Sequence, residues 1–169
     1  MKVIGIVENK TDEDNSCTLV RVALKYIENF KYETTIIGTD DFDFSKKSSE
    51  LDVLKSSLNQ ADAVIFATSS SFPQKITGIN PFLEWMNQLK TDFSSKAAGL
   101  ILLIEPEESS GTMNKGILKK EVEKKSFNII SEVVFTSVAE VDDVRSNTYA
   151  LIKTMKMVDD LQKYLESSV

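Results

Sequence analysis

The residues of this chain that could do chemistry lie in three polar stretches. The first, Glu8-Asn9-Lys10-Thr11-Asp12-Glu13-Asp14-Asn15-Ser16-Cys17-Thr18, ends in hydroxyl and amide side chains where a helical pattern begins. Free backbone N–H groups and the positive end of a helix macrodipole make such a place an anion-binding position, to which Thr11, Ser16 and Thr18 would add hydroxyl donors. Equally, Asn15 or Ser16 would serve there simply as a helix N-cap. The second stretch runs from Ser69 through Ser70, Ser71 and Phe72 to Gly78, and the third holds Ser109, Ser110 and Gly111; each follows a short apolar run. There is no histidine, which removes Ser-His and Cys-His nucleophile pairs and His-based metal sites. No G-x-G-x-x-G and no Walker A pattern supports a dinucleotide fingerprint or a P-loop.

These stretches need a scaffold, and the chain alternates in a way that supplies one. Val3 to Val7 reads as a strand, about Ser16 to Phe30 as a helix with Leu19, Val20, Ala23, Tyr26, Ile27 and Phe30 on its apolar stripe. Tyr32 to Ile37 is a second strand, and Ser49 to Gln60 a second helix opening in the capping-box order Ser49-Glu50-Leu51-Asp52. Ala63 to Thr68 is a buried strand. Asn80-Pro81 then starts a helix continued by Phe82, Leu83, Trp85, Met86 and Leu89, with Asn80 as its cap and Pro81 at the first helical position. Ala97 to Ile104 is a fully apolar strand, Gly116 to Phe127 a helix, Asn128 to Phe135 a fifth strand. A closing helix from about Ser146 to Glu166 places Tyr149, Ile152, Met155, Val158, Leu161 and Leu165 at helical spacing.

At 169 residues the chain is expected to form a single domain, residues 1–169, that closes a core without disulfides or metals. It begins on a strand pattern, and nowhere do about 18 apolar residues run together, so it reads as soluble and cytoplasmic. A net charge of −6 disfavours nucleic acid or an anionic membrane as the main partner. Strands alternating with helices imply a parallel sheet covered on both faces, since each parallel crossover needs a helix. Right-handed crossovers with strand order 2-1-3-4-5 would make an α/β, flavodoxin-like three-layer sandwich. Ligands of such sheets bind outside the carboxyl ends of the strands at the switch point between strands 1 and 3. The loops after Val7, Thr68 and Ile104 are therefore the ones that matter.

At this point a family resemblance becomes specific. Ala61-Asp62-Ala63-Val64-Ile65-Phe66-Ala67-Thr68, followed seventeen positions after Thr68 by Trp85 in Leu83-Glu84-Trp85, resembles the central segment of the NAD(P)H-dependent FMN reductase family, ADAIIxGTPEYNGSIPGxLKNxLDWL. Ser16-Cys17-Thr18 resembles the S-x-T ending of that family's first loop. The resemblance implies a flavodoxin-like fold, non-covalent FMN, NAD(P)H as co-substrate and a homodimer or homotetramer that helps form the flavin site. It further implies Thr11, Ser16 and Thr18 at the FMN phosphate, Ser69, Ser70, Ser71, Phe72 and Gly78 along the flavin ring, and Ser109, Ser110 and Gly111 at its outer edge. The chain departs from the family where Glu8-Asn9-Lys10-Thr11 stands for G-S-x-R, and where Glu105-Pro106-Glu107-Glu108 stands for a glycine-rich run.

The resulting expectation is an FMN-binding NAD(P)H-dependent oxidoreductase that passes hydride from nicotinamide to flavin and then to a small-molecule acceptor. No side-chain acid or base and no metal is required, because the isoalloxazine itself takes the hydride. Two alternatives stand beside it: a flavodoxin-like protein that has lost FMN and works as a binding or regulatory module, and a flavodoxin-type electron carrier. Among the remaining features, Cys17 reads as a packing residue or a reactive thiol at a helix start. Trp85 reads as core or as an interface aromatic, and the Lys115, Lys119, Lys120, Lys124, Lys125 group as a solvated helix face.

Overall fold

The computed structural model describes residues 1–11, 14–70, 79–104, 111–135 and 144–168. Its elements follow the alternation: β1 (Lys2–Val7), α1 (Asn15–Ile27), β2 (Glu33–Gly38), α2 (Ser49–Gln60), β3 (Ala63–Ser70), α3 (Asn80–Gln88), β4 (Ala97–Ile104), α4 (Gly111–Lys124), β5 (Asn128–Phe135) and α5 (Thr148–Ser167). All strand pairs are parallel, and the order β2-β1-β3-β4-β5 is the one expected.

Period-two alternation along buried strands divides the core in two. Val3 and Val7 of β1, Ala63, Ile65 and Ala67 of β3, and Ala97, Ile101 and Leu103 of β4 meet α1 and α5 on one face. Ile4 and Ile6, Val64 and Phe66, Ala98, Leu100 and Leu102 turn to the other face, under Leu51, Leu54 and Leu58 of α2, Phe82, Leu83 and Met86 of α3, and Leu118 and Val122 of α4. Gly5 sets how closely α1 lies on the sheet, since a Cβ there would stand 2.3 Å from Val20 Cγ1. An aromatic cluster holds α3: Phe82 packs against Phe44, Phe66 and Trp85 at ring-centroid separations of 5.9, 6.5 and 5.9 Å.

Several boundaries differ from expectation for identifiable reasons. Asp14, not Asn15 or Ser16, caps α1, and Ser48, not Ser49, caps α2 by accepting from Leu51 N. Asn80 is already helical; the cap position of α3 is Ile79, which offers no side-chain acceptor. The helix α4 begins at Gly111 rather than Gly116, because backbone hydrogen bonding extends through Gly111-Thr112-Met113-Asn114, where no apolar period marks it. On α5 the buried stripe is Ala150, Thr154, Met157, Val158, Leu161 and Leu165, while Tyr149 and Ile152 are 62% and 60% exposed. A small residue and a threonine, whose hydroxyl donates to the Ala150 carbonyl, thus pack where larger apolar neighbours were expected.

Candidate functional site

The carboxyl ends of β1 and β3 do not finish level. The last residue of β1 in register with β3 is Ile6, opposite Phe66, yet β3 continues through Ala67, Thr68, Ser69 and Ser70, all paired with β4 alone. Since β1 itself runs on to Val7, level with Ala67, β3 outruns it by Thr68, Ser69 and Ser70, a step of roughly 10 Å in the sheet edge at about 3.3 Å per residue. It lies at the switch point, where a crevice is expected. Thr68 is buried with its hydroxyl donating to the Ser69 carbonyl, while Ser69 is exposed at the edge. Ser70 closes the strand. On the far side of β3, β4 also ends level with Ser70, at Ile104, and Gly111 is the first residue of α4. Ser71, Phe72, Gly78, Ser109 and Ser110 lie outside the described residues.

Across the step is the start of α1. Asp14 has extended φ/ψ and turns its carboxylate back over the first helical turn. Its Oδ1 accepts from Ser16 N at 2.7 Å, from Ser16 Oγ at 2.5 Å and from Cys17 N at 3.3 Å. Ser16 is wholly buried and its hydroxyl is committed to Asp14; Thr18 is buried and Thr11 exposed. The three hydroxyls expected to act together therefore sit in three different environments. Asp14 is the residue that sequence reasoning passed over as a cap, although Asp caps helices as well as Asn or Ser does.

The first loop is braced against the β2 side. The Asp40 N–H donates to the Glu8 carbonyl at 3.1 Å, Lys10 pairs with Asp41, and Arg21 donates from Nη2 to the Lys10 carbonyl at 2.9 Å and from Nε to Cys17 Sγ at 3.3 Å. Cys17 itself is buried, in keeping with a packing role. Burial, followed by the charges of Asp14 and Asp40, pushes the Glu8 carboxyl above the usual carboxylate range. Burial alone disfavours the carboxylate form, and the two neighbouring carboxylates add to it.

Other sequence features are absorbed by structure. Trp85 is packed on Phe44 and Phe82. Lys119 pairs with Glu132 and Lys124 with Glu121, while Lys125 donates to the Leu89 carbonyl. In the acidic connection after β2, Asp43 accepts from Ser45 and Lys46, which hold its carboxyl down to about 2. Among the described residues no group of metal-ligating side chains comes together, and no helix is long and apolar enough to cross a membrane.

No family model and no curated protein sequence matches the chain. Solved structures do match in fold. RosB, solved with the bound intermediate 8-demethyl-8-formylriboflavin-5'-phosphate, superposes with a TM-score of 0.76 at 12% identity, over 99% of this chain and 79% of that one. An NADH:FMN oxidoreductase, EmoB in its apo form, gives 0.70 at 12% identity over 98% and 89% of the two chains. Oxidised Flavodoxin 1 from Bacillus cereus gives 0.68 at 15% identity over 97% and 99%. The fold is flavodoxin-like.

Proposed function

We propose that this chain is a flavin-dependent oxidoreductase of the NAD(P)H-dependent FMN reductase type, with the flavin ring at the stepped edge between β1 and β3. The position of the step supports this reading, because it lies at the switch point between β1 and β3, outside whose carboxyl ends ligands of such sheets bind. The superposed RosB and NADH:FMN oxidoreductase structures support it at the level of fold. A bound flavin would supply the hydride-accepting chemistry. The protein's own share would be to position the ring and exclude water, a task this reading assigns to Ser69 and Ser70 at the end of β3 and to Ser71, Phe72, Gly78, Ser109, Ser110 and Gly111 that follow the ends of β3 and β4 in sequence. The acceptor is a small molecule such as a free flavin, a quinone, an azo compound or a metal oxyanion, and a second copy of the chain completes the site as a homodimer.

The phosphate end of FMN fits poorly. The N–H groups of Ser16 and Cys17 and the Ser16 hydroxyl, which would hold it, already hold Asp14. This same observation favours a second reading, a flavodoxin-like binding module that carries no flavin. The two separate cleanly in solution. Protein mixed with FMN or riboflavin and then desalted is expected to keep a visible flavin spectrum, and anaerobic NADH or NADPH is expected to bleach it without a partner protein. A colourless product with both flavins at micromolar concentration would sink the oxidoreductase reading. Slow bleaching that needs a separate reductase would instead identify an electron carrier.

A further inference from the structure

We infer that Asp14 is a built-in anion that takes the place of a ligand phosphate at the start of α1, so that the site favours a flavin with an uncharged tail, of the riboflavin class, over a phosphorylated one. The inference rests on the flavin reading for its ligand and on the first loop for its direction. Three donors converge on one carboxylate oxygen, at 2.7, 2.5 and 3.3 Å, and one of them, the Ser16 hydroxyl, is fully buried. A carboxylate at a helix start satisfies the same orphan N–H groups and the same macrodipole that a phosphate would.

A phosphate arriving here must displace a charge-assisted hydrogen-bond set or lie next to a like charge, and both oppose binding. Among the described residues, like charge lies close by. Glu8, half-buried, adds negative charge beside Asp14, and Asp40 lies against Glu8, its N–H donating to the Glu8 carbonyl. Of the described cations nearby, Lys10 pairs with Asp41, and Arg21 donates to the Lys10 carbonyl and to Cys17. A neutral ribityl tail meets none of these penalties, since its hydroxyls can donate to a carboxylate as well as accept from backbone N–H groups.

Two variants of the full chain separate occupancy from charge. Asp14→Gly opens the donors while keeping an acceptable cap residue, and Asp14→Asn keeps an acceptor in place without its charge. In fluorescence titrations the unaltered protein is expected to bind riboflavin about tenfold more tightly than FMN, a margin that one like-charge contact supplies. Asp14→Gly should raise FMN affinity by about the same factor with riboflavin little changed, and Asp14→Asn should fall between. An unaltered protein that binds FMN as tightly as riboflavin, or a glycine variant that leaves the ratio unmoved, would overturn the inference while leaving the flavin reading intact. If neither flavin binds, the flavin reading fails and inorganic phosphate decides the role of Asp14. The Ser16 and Cys17 amide resonances should then stay fixed in the unaltered protein and shift in Asp14→Gly as millimolar phosphate is added. A shift in the unaltered protein, or none in the variant, would overturn it.

Discussion

The helices that start on either side of the β3 step are held in opposite ways. At the start of α1 a carboxylate gathers two backbone N–H groups and a hydroxyl, and its body lies on Gly5 with no room for a side chain between them. At the start of α3 there is no side-chain cap at all, only Pro81 in the first turn and the carbonyl of Ile79 accepting from Leu83 N. Aromatic area does the holding there, through Phe82, Trp85, Phe44 and Phe66. Directional polar contacts and apolar contact area respond differently to mutation. The electrostatics of the crevice can therefore be altered at α1 with a modest loss of stability, whereas α3 cannot lose its anchor without loosening the wall it forms.

The contrast breaks most visibly at Phe82, which is fully buried. Phe82→Ala is expected to destabilise by about 3–5 kcal/mol in urea unfolding, the usual cost of removing a buried phenyl ring; a loss under about 1 kcal/mol would mean that α3 is held by something else. A smaller effect tests the caps. Asp14→Ala should cost about 1 kcal/mol, as removal of an N-cap acceptor does, whereas Asn80→Ala should stay within about 0.5 kcal/mol because Asn80 is not the cap. Equal losses at the two positions would erase the difference between the helix starts.

The smallest expected effect is a pH dependence at Glu8. Its carboxyl is raised in the folded state from an ordinary value of 4.5, so between that value and the raised one the folded chain binds more protons than the unfolded chain. Stability from this group is thus present at low pH and lost as pH rises through the window. Glu8→Gln removes the loss, and its stability advantage over the unaltered protein should grow as pH rises above the ordinary value of 4.5 and level off once pH passes the raised one. An advantage that does not change with pH would show that the negative field at the first loop is screened by solvent.

What could be read from sequence follows from which physical signal each segment carries. The strands at Ala97–Ile104 and Asn128–Phe135 are legible to the residue from their length and content, the first an eight-residue apolar run between Lys96 and Glu105, the second rich in β-branched residues. The α2 span was equally clear from Ser-rich and Gln ends around Leu51, Leu54 and Leu58. On α5, Tyr149 and Ile152 repeat at helical spacing just as the true stripe does, and only packing against β4 and β5 decides between them. Candidate caps were recognised by side-chain type, but the backbone angles that choose among Asp14, Asn15 and Ser16, or between Ile79 and Asn80, are set by how each loop arrives from its strand. For the same reason the start of α1 reads from sequence as an anion position, while the carboxylate that caps it does not. The strand order was accessible from topology rules; the step was not, because register is a property of two strands at once.

Cys17 is the only cysteine in the chain, and it is sealed beneath α1 with Arg21 over its sulfur. In labelling terms the folded surface carries no thiol of its own among the described residues. A cysteine introduced at exposed Ser69 would therefore be the one handle a maleimide dye could reach, placing a reporter at the carboxyl end of β3 with no background to subtract.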